Sequence, residues 1–552
     1  MANEELLQML RERIAQGLTR KSVQSCSKWA EQYRIMGDSF PGPWTFDHHP
    51  WLREMHDCKA ELMIGQKCAQ VGFTETGLNK AFFAIDISGI SVLYVLPTSH
   101  EAGEFSSSRF DPALEASEHL RRMFSNVKNV SLKRSGLQCL FIRGSRSRSQ
   151  LKSLPVGLVI LDETDEMTEE NIALAFERMS GQLVGQAFLL STPTVEDHGI
   201  NAYFKQSTQS HFFFPCPSCG RRTELLFPEC LVITAENWTD PKVDNSYLVC
   251  KECKNTLPHE AKSSFLKHGV WVPQYENRTA VGFHVNQLYS ATVTPGKMAK
   301  AFLKAKTNPA DEQEFYNSKL GIVHEVDGAK VTLEEINKCI SGNIRKLEEA
   351  PANSYVTMGV DVGHKYLHCE IDQWFIGAGA TNDVNINSQC RVLNELKVQE
   401  FEQLDALMRK YQVNFCVIDA NPERRKALEF ARRFWGMVKL CLYNVGISSR
   451  VITVKDEESH LVGVDRTAWM DLALARYRTG RVALPLDTSL EYKNQIQAPV
   501  RIYKKDKHGN PVGMYVKKGS SEDHFAHART YAELALTLSA ANAGSHFISG
   551  VL

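Results

Sequence analysis

Four short segments carry residues whose types and spacing can do chemistry. In Lys67-Cys68-Ala69-Gln70-Val71-Gly72-Phe73-Thr74 a cation, a glycine turn and a hydroxyl lie close together. A phosphate cradle needs those parts: a turn of backbone N–H groups, a positive charge and a hydroxyl for Mg²⁺. The usual spelling, Gly-x-x-x-x-Gly-Lys-Ser/Thr, has lysine where Phe73 stands, and Lys67 at the front of the loop supplies the charge instead. The apolar run Leu158-Val159-Ile160-Leu161 leads straight into Asp162-Glu163. Both acids then sit at the carboxyl end of a buried strand, where α/β sheets bind ligands. Asp162 would hold Mg²⁺ through water and Glu163 would polarise the attacking water. Leu190-Ser191-Thr192-Pro193-Thr194 ends another apolar strand in hydroxyls, and Thr192 suits a sensor of the γ-phosphate.

The other two segments, Met358-Gly359-Val360-Asp361 and Cys416-Val417-Ile418-Asp419, are strands that each deliver one aspartate. Phosphodiester hydrolysis by two metals needs carboxylates converging on ions about 4 Å apart. In RNase H-like folds two adjacent parallel strands supply such acids and a C-terminal helix supplies a third. Ser521-Glu522-Asp523-His524-Phe525-Ala526-His527 fits that helix start, with Asp523 and His527 one turn apart on one face. Asp523 is the expected third ligand and His527 the reserve. Asp465 and Asp471 fall on a helix and read as capping or surface residues.

Cys216-Pro217-Ser218-Cys219 and Cys250-Lys251-Glu252-Cys253 are two Cys-x-x-Cys pairs, each able to chelate two corners of a tetrahedron. With no open position and no adjacent base they read as a structural Zn²⁺ site, and Cys230 between them as a bystander.

Elements must position these groups. Strand-like and helix-like runs alternate from about residue 60 to 205 and again after Tyr355, the pattern of α/β layers. The reading is an N-terminal helical segment at 1–40, with a short amphipathic helix over about 4–17, and a nucleotide-binding motor at 41–209. A zinc-ribbon-like module follows at 210–260, then a linker at 261–350 and an RNase H-like nuclease domain at 351–552. The 552 residues exceed one core. Apolar content of 43% with 23% charged is that of a globular chain, and no apolar run approaches the roughly 20 residues that span a bilayer. Fourteen scattered cysteines suit a reducing compartment.

In this order the segments resemble the large subunit of the DNA-packaging terminases of tailed bacteriophages, in the lambda-like group. That group places its loop lysine early, as with Lys67, before a Val-Gly-aromatic-hydroxyl turn, and the resemblance runs from about Tyr33 to Leu536. Terminase nucleases start the last helix with a pattern close to Asp-His-x-x-Asp-Ala-x-x-Tyr; His527 stands here where the second acid often stands. The resemblance implies an ASCE-type P-loop ATPase, a parallel sheet flanked by helices, that pumps double-stranded DNA through a portal. It also implies a Mg²⁺- or Mn²⁺-dependent endonuclease that cuts concatemeric DNA. The implied partners are double-stranded DNA, the small terminase subunit and the portal protein, with a homo-oligomeric ring working in the host cytoplasm and no membrane. The aromatic lead-in Trp44, Phe46, His48 and His49 sits where the family places its adenine pocket. Arg143, Arg146, Arg148 and Arg178 are candidates for an arginine finger.

Net charge is zero, but basic residues cluster at Arg143–Lys152, Arg424–Arg433 and Lys504–Lys518, and such patches can hold phosphates. The last cluster lies on an expected hairpin, Pro499 to Lys518. A helicase-nuclease of DNA repair or recombination would share the loop, but it should carry strand-separation motifs in a second motor domain, and none follows residue 205. A zinc-ribbon DNA-binding scaffold with a decayed motor and nuclease is the reading that Phe73 and His527 leave open.

Overall fold

The computed structural model describes residues 25–542 except 38–39, 125–126, 153, 341, 343, 378–382, 445–448, 457–459, 506–510 and 518–520. The expected helix over 4–17 lies outside the described residues. The chain divides into two compact units, Met1–His324 and Glu325–Leu552.

The first unit is organised by strands β1 (Leu62–Lys67), β2 (Val92–Leu96), β3 (Gln138–Gly144), β4 (Leu158–Asp162), β5 (Gln186–Ser191), β6 (Ser210–Pro215) and β7 (Val281–Val285). Their spatial order is β6-β7-β1-β5-β4-β2-β3 and all seven are parallel, with antiparallel strands added at both edges. Helices cover both faces, which is why β2 and β4 are buried at every residue and read as unbroken apolar runs. Because β5 lies between β1 and β4, Lys67, Ser191 and Asp162 end neighbouring strands.

The region 261–350, expected as a linker, corrects that expectation. Val281–Val285 pairs in parallel with β1, Met63 through Lys67, and belongs to the central sheet. A five-residue run holding a glycine and a histidine gives little periodicity to read, yet burial on both faces makes it a strand. The unit boundary accordingly falls between His324 and Glu325. The cysteine module is an excursion between β6 and β7, carrying a small antiparallel sheet of Leu231–Val232, Tyr247–Val249 and Thr256–Leu257.

The second unit holds β8 (Tyr355–Val362), β9 (Leu367–Ile376), β10 (Ser388–Val398), β11 (Phe415–Asp419), β12 (Val438–Asn444) and β13 (Leu461–Asp465). Three are an antiparallel meander, β8-β9-β10, and β8, β11, β12 and β13 run parallel on its other side. Helices α2 (Arg466–Thr479) and α3 (His524–Asn542) complete the frame. α3 lies hard on β8: a Cβ on Gly359 would meet Ala528 O at 1.9 Å and Ala532 N at 2.4 Å. Glycine at that position lets the helix start reach the end of β8, where Asp361 stands. Beneath α3 is a fully buried ion network in which Arg529 contacts Glu370 (3.0 Å), Asp372 and Glu533 (2.9 Å), and Arg476 contacts Glu533. Asp465 caps α2, accepting from Ala468 N–H at 2.7 Å, and Asp471 accepts from Arg501 at 2.8 Å. The hairpin is present as Pro499–Lys505 against Pro511–Lys517.

Candidate functional site

In the first unit the sheet gathers the phosphate-loop residues. Lys67 closes β1, and the chain turns through two left-handed residues, Gln70 (φ 61°) and Gly72 (φ 86°), into α1 (Phe73–Phe83). A Cβ on Gly72 would come within 2.5 Å of Leu52 Cδ1, so glycine is needed for space as well as for φ. Three groups hold the loop. Trp51 donates its indole N–H to Val71 O at 3.0 Å, Gln287 donates to Ala69 O at 2.8 Å, and Ala69 N–H donates to Ser318 O at 2.7 Å. The N-terminal N–H groups and dipole of α1 are therefore presented at a fixed place, as an anion site requires.

Phe73 is buried, its ring against Gly65 and the core, so position 73 cannot serve the loop. The Lys67 ammonium serves it, 2.7 Å from Glu163 Oε1 and 3.4 Å from Asp162 Oδ1. Burial opposes its charge, but the two carboxylates outweigh that and hold its pKa above the ordinary lysine value. Burial raises the Asp162 carboxyl further than the Lys67 charge lowers it. Tyr94 donates to Asp162 Oδ2 at 2.9 Å, and the Thr74 side chain stands alongside. A buried acid and a hydroxyl beside a cradle of N–H groups form an all-oxygen donor set that fits Mg²⁺ next to phosphate.

Glu163 takes a left-handed backbone (φ 60°, ψ 49°) and its carboxylate stays partly exposed. The hydroxyl that reaches it belongs to Ser191, with Oγ 3.4 Å from Oε2. Thr192, the expected sensor, stands just past the end of β5, whose last residue is Ser191. Asp165 ties the same loop, accepting from Thr194 N–H at 2.8 Å and Ile200 N–H at 2.6 Å. Among the arginine candidates, Arg143 is bonded to the Ser131 and Ile142 carbonyls and Arg178 to the Leu174 carbonyl, while Arg146 and Arg148 are exposed. Trp44 and Phe46 are packed as core against His56, at 5.4 and 5.0 Å between centroids.

In the cysteine module Cys216, Cys219, Cys250 and Cys253 bring their sulfurs within 4.8 Å of one another, and Cys216 and Cys253 lie 3.9 Å apart. Thiolates at about 2.3 Å from a tetrahedral ion would be about 3.8 Å apart, so the set fits Zn²⁺. Each pair closes a tight turn that ends on a left-handed residue, Gly220 donating to Cys216 O and Lys254 to Cys250 O. Burial alone would raise the Cys250 thiol, but the N–H groups of Cys253 and Glu252 bring it down to about 7. Cys230 is not in the group; its thiol faces Glu224 O.

In the second unit Val360 pairs with Ile418, so Asp361 and Asp419 follow side by side at the ends of parallel strands. Burial and then the nearby Asp361 charge raise the Asp419 carboxyl to about 6, against the pull of the Asn421 N–H. Asp523, just before α3, lies 3.3 Å from His527 Nε2 and 3.6 Å from an Arg466 nitrogen. Burial opposes its charge, but these partners prevail and lower it to about 2. His527 also meets Tyr443 OH at 3.0 Å, so it acts here as a partner that orients Asp523. His524 was not expected in the site; its Nδ1 lies 2.7 Å from Asp361 Oδ2. Tyr94, Ser191 and Gln287 were likewise missed: a tyrosine inside an apolar strand, one of several hydroxyls, and a residue distant in sequence give no local signal. His524, next to the chosen Asp523, did have one. Asp361 and Asp419 at adjacent strand ends are oxygen donors of the kind hard divalent ions take, while Asp523 is engaged with His527 and Arg466 and is not grouped with those two within 4.8 Å.

Residues 38–271 match the family model for the phage terminase large subunit gpA, ATPase domain, and residues 280–545 that for the terminase large subunit gpA, endonuclease domain. The terminase large subunit of Enterobacteria phage P21 is 22% identical over 400 residues, covering 64% of this chain and 61% of that protein, so the chain spans less than two thirds of this relative. The crystal structure of the HK97 bacteriophage large terminase aligns with TM-score 0.52 and 9% identity over 93% of this chain and 99% of that one, a likeness of fold. With an ATPase domain and an endonuclease domain of one family matched in succession along nearly the whole chain, the chain belongs to the lambda-like gpA family of phage terminase large subunits.

Proposed function

We propose that the chain hydrolyses ATP to drive double-stranded viral DNA into a procapsid and cuts concatemeric DNA with a separate metal centre. The observation that carries this is one charged site per unit: Lys67 paired with Asp162 and Glu163 in the first, and Asp361 beside Asp419, with Asp523 at the start of α3, in the second. In the motor, the loop N–H groups and Lys67 bind the phosphates, and Thr74 and Asp162 would hold Mg²⁺. Glu163 orients the attacking water, and Ser191 holds Glu163. When bound, Mg²⁺ neutralises charge on the transferred phosphoryl group. In the nuclease Asp361, Asp419 and Asp523 would hold Mg²⁺ or Mn²⁺, which activates a water and stabilises the leaving oxygen. His524 and His527 fix the carboxylates for that task. Zn²⁺ in the cysteine module would be structural.

The working partners in this reading are duplex DNA, a small terminase subunit and a portal, on which several copies act as a ring in the host cytoplasm. No helix among the described residues is long and apolar enough to cross a membrane. The reading predicts DNA-stimulated ATP hydrolysis by the purified chain and linearisation of a supercoiled plasmid in Mn²⁺ without ATP. A chain that unwinds duplex DNA, releasing single strands as it hydrolyses ATP, would be a helicase and would contradict it.

A further inference from the structure

We propose that the second unit holds an additional divalent-metal site built on imidazole nitrogen, from His368, His524 and Asp361. β8 and β9 place Asp361 directly opposite His368, and α3 begins at His524. One Asp361 oxygen and one ring nitrogen from each histidine lie within 4.8 Å of one another. The two imidazoles stack, with centroids 4.4 Å apart and planes at 15°. His368 is only 3% exposed, and its Nδ1 is buried with no hydrogen-bond partner. A buried ring nitrogen left unpaired calls for a ligand, since buried polar atoms in folded proteins are nearly all satisfied. Gly363 closes the turn over the rings; a Cβ there would stand 3.3 Å from His524 Cε1 and 3.6 Å from His368 Cε1. Its absence leaves both imidazoles room to move onto an ion.

Two imidazoles and a carboxylate are the donor set of borderline ions such as Co²⁺ or Zn²⁺, and the harder Mn²⁺ still accepts imidazole, whereas Mg²⁺ favours oxygen and retains water. A neighbouring trio, His368, Glu491 and Glu522, also has its ligand atoms within 4.8 Å. Both Glu491 oxygens are taken by Lys397 Nζ at 2.7 Å, and the Gln495 amide reaches Glu491 and Glu522 at 3.3 Å each. Glu491 is already compensated by Lys397 and Glu522 is solvent-exposed, so the two form the outer wall. Asp361 is then shared, turned to the imidazole site by Oδ2 and to the cutting centre by its position beside Asp419. The consequence is selectivity: a transition ion held by the histidines sets the orientation of a carboxylate that an ion at the cutting centre also needs. The site rests on ligand geometry and not on the nuclease reading, so a chain that fails to cut would still bind the ion.

The test adds Mn²⁺ to the purified full chain in excess Mg²⁺, which fills all-oxygen sites, and reads imidazole-nitrogen coupling of bound Mn²⁺ by pulsed EPR. Mn²⁺ is chosen because it does not favour the thiolates of the cysteine module. The wild-type chain should show nitrogen coupling. His368→Ala and His524→Gln should each lose it and bind Mn²⁺ at least about tenfold more weakly, while Glu491→Gln with Glu522→Gln should retain both. His524 is part-exposed at a helix start, so His524→Gln keeps the test valid where His368→Ala fails to fold. Absence of nitrogen coupling in the wild type, unchanged coupling in folded His524→Gln, or its loss in the glutamate pair variant would each overturn the proposal.

Discussion

The ring of Phe73 fills the space that a Cβ on Gly65 would occupy, its Cδ2 2.8 Å from that point. This pair explains how the loop works without lysine at its usual place: residue 73 is committed to the core under β1, and the cation comes from the end of the same strand. Lys67→Ala should therefore lower the ATP turnover rate by about 10²-fold or more. Adding Phe73→Lys to it should not restore turnover and should lower the melting temperature, because the new ammonium would be buried unpaired. Phosphate release and thermal melting read the two effects; recovery of turnover in the double variant would show that position 73 does face the loop.

The Ser191 hydroxyl, not that of Thr192, meets Glu163. Ser191→Ala should slow hydrolysis by about five- to tenfold, the worth of one hydrogen bond, and Thr192→Val by less than about twofold. The reverse ranking in steady-state assays would return the sensor role to Thr192.

Cys250→Ser should reduce bound zinc, measured by elemental analysis, from about one ion per chain to a small fraction. It should also lower the melting temperature of the first unit by more than about 5 °C. The effect reaches the sheet because β6 runs directly into Cys216, and the chain leaving the module returns as β7 beside β1. An unchanged melting temperature in zinc-free protein would separate the module from the motor.

Glu370 is fully buried under α3; burial first, then the Asp372 charge, push its carboxyl from 4.5 up to about 8, against the pull of Arg529. Between those values the folded state keeps a proton that the unfolded chain has lost, so stability falls as pH rises through that window. Glu370→Gln removes the titration. Hydrogen exchange in α3 should show wild-type protection declining from about pH 5 to about pH 8 more steeply than in the variant, by up to about 1.4 kcal/mol per unit. Equal slopes would show that Glu370 is ionised throughout.

Much of this architecture was legible because buried parallel strands announce themselves as apolar runs with acids at their ends. Leu158–Asp162, Tyr355–Val362 and Phe415–Asp419 all lie where their patterns put them. The cysteine spacing was equally direct. Val281–Val285 was not, because burial on both faces replaces alternation with a short ambiguous run. Gln287 and Ser318 reach the phosphate loop from more than two hundred residues away, and contacts set by topology leave no mark on local sequence. His524 and Tyr94 escaped for another reason: they touch the acids rather than being acids, and a search for ligands passes over the groups that orient them.

The central claim is that two carboxylate centres divide the work between two units. Asp419→Asn, assayed in one preparation for ATP hydrolysis with DNA and for plasmid cutting in Mn²⁺, tests it most directly. Cutting should fall below detection, about 10²-fold or more, while ATP turnover stays within about twofold of the wild-type chain. Loss of ATP turnover in a folded Asp419→Asn protein, or cutting that persists, would contradict the account.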